Sequence, residues 1–561
     1  MHKQKKISIG TEFFDTIIVE GYFYIDKTLF IKELIDKKGE VNLFTRPRRF
    51  GKTLALTTLQ CFFDIQQKRR DLFNGLQIME YPEIVERYQN KYPVIFLTLK
   101  DVVSMSYGDA IDKISLLIAS VYKRHRYLYK SETLNEIDEQ QFNRYYARNA
   151  KEPDLENSLQ FLCECLYNHF EKKVIILIDE YDTPIKTALE WSYYPQMINF
   201  MRGFLGSMFK SNPYLEFGVL TGVQRISQEG LFSSLNNLMV NGVMDKDFPT
   251  CFGFTEIEVR DACEYFNLDV KYEEVKQWYN GYRFGEQDIY NPWSITNYLK
   301  DTNFKNYWVN TGSMTFLRDL FQEGSDALKN KMADLLTDKP VEMKYTDRIV
   351  HPIVYENDNV FWSLLLNAGY IKPCIGSLED EFYVELVNKE IRNTFADNVK
   401  SWFEKQADLH EIIQEFVRYL LEGKPEEVKN ILNEELLNNP SYYDFKAENS
   451  YHMFIFGILI ATSKTYTIVS NQESGKGRAD LMIKPLNKEK PALIIEFKYL
   501  KRLSGGQTLV DLAQEGLNQI EEKKYATTLK NEGYERIYIY SMCFYKKECE
   551  MSYKLQVTSY K

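Results

Sequence analysis

The chain has 561 residues, 44% hydrophobic and 27% charged, a composition expected of a folded globular protein with about three domains. Its net charge of −10 excludes a global electrostatic pull toward nucleic acid. The eight cysteines form no CxxC pair, which argues against zinc, and no apolar run approaches the roughly 18 residues of a membrane span.

The N-terminus, MHKQKKISIG, is basic but lacks the apolar stretch of a signal peptide, so a cytoplasmic protein without a membrane partner is expected. Tyr22 to Thr28, YFYIDKT, precedes an amphipathic helix, LFIKELIDKK. Tyr24 and Asp26 are candidates for an adenine contact, with plain packing as the alternative.

Val41 to Thr53, VNLFTRPRRFGKT, is the most informative stretch. A short apolar run ends in a basic turn, Gly51-Lys52-Thr53 follows, and Leu54 to Phe63 reads as a helix. Strand, tight loop, Gly-Lys-Thr, helix is the layout of a phosphate-binding loop. Backbone N–H groups at the helix start cradle anionic oxygens. Lys52 would reach the β/γ-phosphates and Thr53 would hold Mg²⁺. Arg46 occupies the place of the first glycine in G-x-x-x-x-G-K-[ST], leaving Gly51 alone to supply unusual dihedrals. The alternative is a basic turn that simply solvates Arg46, Arg48 and Arg49.

Residues 54–90 read as helical, Val94 to Lys100 as a strand, and 108–172 as largely helical with a charged surface stretch near Glu132–Asp154. Val174 to Ile178, VIILI, is a β-branched run typical of a buried parallel strand. It ends in Asp179-Glu180-Tyr181-Asp182. Asp179 is a candidate for a Mg²⁺ carboxylate and Glu180 for the base that polarises water; the alternative is a strand ending in solvated acids. Tyr194 to Ser211 reads as a helix and Leu215 to Thr221 as a strand. Ligands of parallel α/β sheets sit beyond the carboxyl ends of strands. Thr221 and Arg225 are therefore candidates to sense and neutralise a γ-phosphate, against a capped strand end with a surface arginine. Strands alternating with helices, with motifs at strand ends, predict a doubly wound core.

Residues 255–345 carry aromatic turns, Trp278 to Gly285 and Tyr290 to Trp293, expected to pack a helical subdomain more than to stack on bases. Residues 346–440 read as mainly helical and Leu-rich. From Ser441 onward 18 basic and 14 acidic residues give +4, leaving −14 for the remainder. The C-terminal part is thus the better place for a polyanion.

That part has its own constellation. Tyr451 to Ala461 reads as an apolar helix, preceded by Glu448 and containing His452. Tyr466 to Ser470 is a strand leading to Glu473, followed by Gly477-Arg478-Ala479-Asp480 and, after a polar turn, Ala492 to Lys498, ALIIEFK. Strand positions two apart share a face, so Glu496 and Lys498 point one way and Phe497 the other. A hairpin would bring Asp480 beside Glu496. Paired carboxylates suit Mg²⁺ or Mn²⁺, with Glu473 and Glu448 completing the acidic shell. Such a metal can orient water at a phosphodiester, and Lys498 can offset developing negative charge. Gln519, on the helix DLAQEGLNQIEEKKY, would orient Lys498 or the DNA backbone. The alternative is a surface hairpin with charged ends.

The ordered set YIDKT (24–28), RPRRFGKT (46–53), LIDEYDTP (177–184), LTGVQRIS (220–227), WYNGYRFG (278–285), YNPWSI (290–295), YH (451–452), GRADLMI (477–483), IIEFK (494–498) and QIEEKKY (519–525) resembles bacterial AAA-ATPase-like proteins fused to a C-terminal PD-(D/E)XK nuclease domain. Arg46 is usual in that family, whereas Ala479-Asp480 departs from Pro-Asp. The resemblance implies an α/β protein: a P-loop NTPase parallel sheet (1–255), a helical subdomain and connector (256–400), and an α/β restriction-endonuclease-like domain (401–561). It implies ATP with Mg²⁺ or Mn²⁺ as cofactors and DNA as partner, and admits a homo-oligomer. The nucleotide residues would be Arg49, Gly51, Lys52, Thr53, Asp179, Thr221 and Arg225. The metal ligands would be Thr53, Asp179, Glu473, Asp480 and Glu496, and the catalytic residues Glu180, Asp480, Glu496, Lys498 and Gln519. The rival is a nucleotide-switched DNA- or protein-binding module with an inactive nuclease fold.

Overall fold

A computed structural model describes residues 4–67, 69–226, 231, 237–268, 272–308, 326–336, 339–346, 358–374, 381–395, 409–436, 455, 459, 466–474, 477–500, 508–545 and 548–557. Five strands near the N-terminus, β1 (Val41–Thr45), β2 (Val94–Thr98), β3 (Val174–Asp179), β4 (Leu215–Gly222) and β5 (Leu238–Asn241), form one sheet in the order β2-β3-β4-β1-β5. Every neighbouring pair is parallel. A parallel sheet must be covered on both faces, and the side-chain alternation shows how. Ile175 and Leu177 face the core that includes Leu56 and Leu59 of the helix Lys52–Phe63. Val174, Ile176 and Ile178 face the opposite core, filled by the helices Tyr107–Arg124, Glu152–Phe170 and Tyr194–Phe209. The register sets Thr98 beside Asp179 and Phe44 beside Thr221, so the carboxyl ends of the strands form a common rim.

The expected helix over 54–90 is shorter than its composition suggests. It stops at Phe63 and gives way to 3-10 turns at Arg70–Phe73 and Gln77–Glu80 before the helix Pro82–Tyr88. Asn90 Nδ2 donates to the carbonyls of Cys61 and Asp64, tying down the chain where the first helix ends.

The middle of the chain is not the helical unit its Leu-rich composition predicts. Helices Glu256–Tyr265, Tyr272–Tyr279 and Pro292–Asp301 are present, and the aromatic turn folds into a hairpin, β6 (Tyr282–Phe284) and β7 (Gln287–Ile289). Beyond them, β8 (Val341–Lys344), β9 (Ile371–Pro373) and β10 (Glu381–Leu386) make a three-stranded antiparallel sheet in the order β8-β10-β9. Val341 and Met343 point inward while Glu342 and Lys344 point to solvent, the period-2 signature of a half-buried strand.

This middle region encases the basic turn. Phe50 packs edge-on against Tyr282, 4.8 Å between ring centroids. Gly369, at φ +81°, lies so close to Pro47 that an added Cβ would stand 2.9 Å from Pro47 Cγ. The Trp308 indole N–H donates to Arg48 O at 3.1 Å.

At the C-terminal end β11 (Tyr466–Ser474), β12 (Gly477–Pro485), β13 (Ala492–Tyr499), β14 (Arg536–Tyr545) and β15 (Glu548–Val557) pair in sequence order, antiparallel except for β13 with β14. The helix Leu509–Glu522, opened by a Thr508–Asp511 capping box, buries Leu517 and Ile520 against Met482, Ile494 and Ile539 on one face. The other face, with Leu481, Ile495 and Phe497, joins a core reaching Phe416 and Leu420 of the helix Leu409–Glu422. Tyr540 anchors that contact by donating to Leu420 O at 2.8 Å. Most of the expected helix 451–461, with Glu448 and His452, lies outside the described residues. Among the described residues no helix is long and apolar enough to cross a membrane.

Candidate active sites at the two ends of the chain

The N-terminal cluster forms where β1, β3 and β4 end. Gly51 takes the left-handed conformation, φ +78°, at the start of the helix Lys52–Phe63. Arg49 does so at φ +68°, an uncommon conformation for a side-chain-bearing residue. The buried Lys52 ammonium lies 3.3 Å from Glu180 Oε1 and donates to the carbonyls of Arg46 and Pro47, each at 3.2 Å. Thr53 Oγ1 donates to Asp179 Oδ2 at 2.8 Å, and Thr221 Oγ1 to Asp179 Oδ1 at 2.6 Å. Both Asp179 oxygens are thus oriented by hydroxyls, one from the loop helix and one from the intervening strand. Burial raises the Asp179 pKa above its ordinary value; the neighbouring Glu180 charge adds to the rise and the two hydroxyls oppose it.

A cavity of about 460 Å³ opens beside this cluster, lined among others by Gly51, Lys52, Thr53, Glu180 and Arg49. Its size lies in the range of small-ligand sites. An ammonium, a helix N-terminus and a hydroxyl next to a carboxylate form a donor set suited to phosphate oxygens and a hard, oxygen-seeking divalent cation.

Several expected residues have other duties. Arg46 is fully buried instead of solvated. Its guanidinium donates to Thr45 O at 2.9 Å, Asn241 O at 2.7 Å and Phe248 O at 3.3 Å, and it lies 4.8 Å from the Phe284 ring centroid. It braces the turn from behind. The Asp26 carboxylate accepts from Thr28 N, Thr28 Oγ1 and Gln77 N, a structural tie between its own turn and the turn Gln77–Glu80. Tyr24 lines the cavity, with its ring edge-on to Phe14. Thr221 is buried and is not among the cavity-lining residues, its hydroxyl committed to Asp179. Arg225 is not among the cavity-lining residues.

The backbone around Arg225 is clamped by two residues that sequence reasoning passed over, although both stand in LIDEYDTP. Asp182 Oδ2 accepts from Val223 N and Gln224 N, at 3.0 and 3.2 Å. Tyr181 OH donates to Gln224 O at 2.6 Å and accepts from Ile226 N at 3.1 Å. Burial opposes the Asp182 charge, but Lys186 and the backbone N–H of Val223 more than offset it and hold the pKa below its ordinary value.

The C-terminal cluster is set by strand pairing. Leu481 pairs with Ile495 across β12 and β13, which places Asp480 opposite Glu496 at the next step of the antiparallel register. Asp480 Oδ2 accepts from Phe497 N at 2.8 Å. Lys498 Nζ lies 3.3 Å from Glu496 Oε1 and donates to Gln519 Oε1 at 2.7 Å. The Gln519 amide N–H donates in turn to Glu496 Oε1 and, at 3.2 Å, to Tyr525 OH. Gln519 thereby fixes both the base-bearing and acid-bearing ends of E-x-K from the covering helix. Tyr525, which closes QIEEKKY, was not singled out from sequence. Burial first, then the Glu496 and Asp480 charges, raise its phenol pKa above the ordinary value, while the Gln519 amide opposes the rise.

Glu473 pairs through its backbone with Arg478 across β11 and β12; its side chain and Glu448 lie outside what is described. Among the described residues no group of three or more His, Cys, Asp or Glu side chains is placed to hold a metal ion. The oxygen donors of Asp480 and Glu496 are nonetheless of the kind Mg²⁺ or Mn²⁺ prefers.

Residues 8–232 match the family described as AAA-ATPase-like, a predicted AAA-ATPase, and residues 446–554 match the PD-(D/E)XK nuclease superfamily. An uncharacterized protein from the vnfD 5′ region of Azotobacter chroococcum mcd 1 is 31% identical over 329 residues. The alignment covers 57% of this chain and 57% of that relative, so the chain spans little more than half of the curated protein it matches.

Proposed function

We propose that this chain, whose residues 8–232 belong to the predicted AAA-ATPase family and whose residues 446–554 belong to the PD-(D/E)XK nuclease superfamily, binds and hydrolyses ATP and uses that cycle to govern metal-dependent cleavage of DNA. One observation carries the reading. Each end of the chain brings a lysine, a carboxylate pair and a hydrogen-bonding orienter into one cluster: Lys52 with Asp179, Glu180 and Thr53, and Lys498 with Asp480, Glu496 and Gln519. Both are arrangements for handling phosphate oxygens.

In the N-terminal site Lys52 would exchange its carbonyl and Glu180 partners for β/γ-phosphate oxygens. Thr53 and Asp179 would hold Mg²⁺, Thr221 would keep the Asp179 carboxylate in place, and Glu180 would take a proton from the attacking water. In the C-terminal site Asp480 and Glu496 would hold Mg²⁺ or Mn²⁺. A divalent ion bound there supplies Lewis-acid polarisation of the phosphodiester and a more acidic water. Lys498, steadied between Glu496 and Gln519, would place its charge against the oxygen on which negative charge builds. Tyr525 would hold the Gln519 amide in the orientation that serves both neighbours.

The test uses the full chain with Lys52→Ala and Asp480→Ala. Asp480→Ala is expected to abolish Mg²⁺- or Mn²⁺-dependent nicking of plasmid DNA and to leave ATP turnover within about twofold of wild type, as expected of independent sites. Lys52→Ala is expected to lose ATP binding. Joint loss of both activities in Asp480→Ala overturns the two-site reading. Wild-type protein that grips DNA in an ATP-dependent way but cuts with neither metal overturns the nuclease half, and identifies a nucleotide-switched binding module.

A further inference from the structure

The cavity beside Lys52 has a wall that comes from far along the chain. Trp293, Thr296 and Leu299 of the helix Pro292–Asp301 line it together with Arg49, Lys52 and Thr53. Residues 8–232, the segment matched by the ATPase family, do not contain that helix. The Arg49 guanidinium carbon lies 4.3 Å from the Trp293 ring centroid, within the distance of a strong cation–π contact.

The backbone leading into Arg49 and the Trp293 ring are each tied down by other residues. Arg49 sits at φ +68°, directly after Arg48, whose carbonyl accepts the Trp308 indole N–H. Trp293 is fixed at both ends: its backbone N–H donates to the helix-capping Asn291 Oδ1 at 2.9 Å, and its indole N–H to Tyr307 O at 2.8 Å. The ring is therefore a rigid shelf. A guanidinium stacked on such a shelf uses its face for the ring and keeps its N–H donors at the edge, where they suit phosphate oxygens. An arginine swinging freely on a loop must be ordered when ligand arrives; one already held loses less freedom.

We infer that Trp293 is a positioning residue for Arg49, and that the middle region completes the nucleotide site through it. The inference rests on the ATP reading of the cavity. Arg49 is the group that touches the triphosphate, and Trp293 acts through it.

The experiment measures equilibrium MgATP binding by the full chain carrying Arg49→Ala, Trp293→Leu, Trp293→Phe and the double variant Arg49→Ala/Trp293→Leu. Trp293→Leu is expected to weaken MgATP binding about 10-fold, with Trp293→Phe staying within about threefold of wild type because an aromatic face is retained. The double variant is expected to bind no more weakly than Arg49→Ala alone, since the shelf has no purpose without its arginine. Additive losses in the double variant, or wild-type affinity in Trp293→Leu, overturn the inference. Thermal unfolding monitors the fold, and Trp293→Met replaces Leu if the smaller side chain does not fold. Absence of MgATP binding in wild type overturns the ATP reading itself, a result distinct from normal binding with additive variants.

Discussion

Lys52 Nζ lies 3.3 Å from Glu180 Oε1, so the cation of the phosphate loop and the candidate base of the acidic strand end hold each other. Glu180 reaches this position with φ +53°, in the left-handed region. A carboxylate that pairs with the phosphate-binding lysine competes with phosphate for it. Glu180→Gln is therefore expected to bind MgATP at least as tightly as wild type while hydrolysing it about 100-fold or more slowly, the usual scale for a lost general base. Equilibrium binding and single-turnover hydrolysis measure the two effects separately. Hydrolysis at the wild-type rate would remove Glu180 from the chemistry.

Arg46 stands where generic phosphate loops carry glycine, and the substitution Arg46→Gly would restore that pattern. The structure predicts that it does harm. The guanidinium satisfies three backbone carbonyls and fills space between Phe252 and Phe284. Removing it strips donors from buried acceptors and opens a cavity, a combined cost of about 3 kcal/mol. Denaturant unfolding should show this loss, and MgATP affinity should fall with it. A variant as stable as wild type would show that the brace is dispensable.

Glu390 is fully buried within the middle region. Its Oε1 accepts from Trp308 N at 2.7 Å and its Oε2 from Ser294 Oγ at 2.8 Å. Burial raises its pKa from 4.5 to about 7, with hydrogen bonds from the Trp308 backbone, Ser294 and the Tyr307 backbone opposing the rise. The folded state therefore keeps a proton between roughly pH 4.5 and 7 that the unfolded chain has released, so stability falls as pH rises through that window. Glu390→Gln removes the buried charge and is expected to be more stable than wild type at pH 8, by as much as roughly 3 kcal/mol. The advantage should vanish below about pH 4.5, where the carboxyl is neutral in both states. Unfolding midpoints across pH 4 to 8 check the sign. A Gln variant less stable than wild type at pH 8 would mean that the charge-assisted bonds outweigh the cost of burial.

How much of this was legible in the chain depends on how local each feature is. VIILI reads as a buried parallel strand because β-branched side chains suit a sheet covered on both faces, and β3 is that strand. Glu496 and Lys498 share a face because strand side chains alternate, and their contact follows from that period alone. The strands β8 to β10 were not legible: they are short and lie among Leu-rich helices, so a composition weighted over the whole stretch hides their alternation.

By itself the sequence determined the layout Gly51-Lys52-Thr53 before a helix, the strand that ends in Asp179-Glu180 and the shared face of Glu496 and Lys498, since each depends on residues a few positions apart, whereas the contact of Thr53 with Asp179 spans 126 residues. Only the tertiary structure decided that Arg46 braces instead of solvating, with a carbonyl partner 195 residues away. It also decided that Thr221 serves Asp179, that Tyr181 and Asp182 clamp the backbone beside Arg225, and that Arg49 rests on Trp293. Those relationships join segments distant in the chain, and the low-dielectric surroundings that strengthen their hydrogen bonds exist only once the segments have packed.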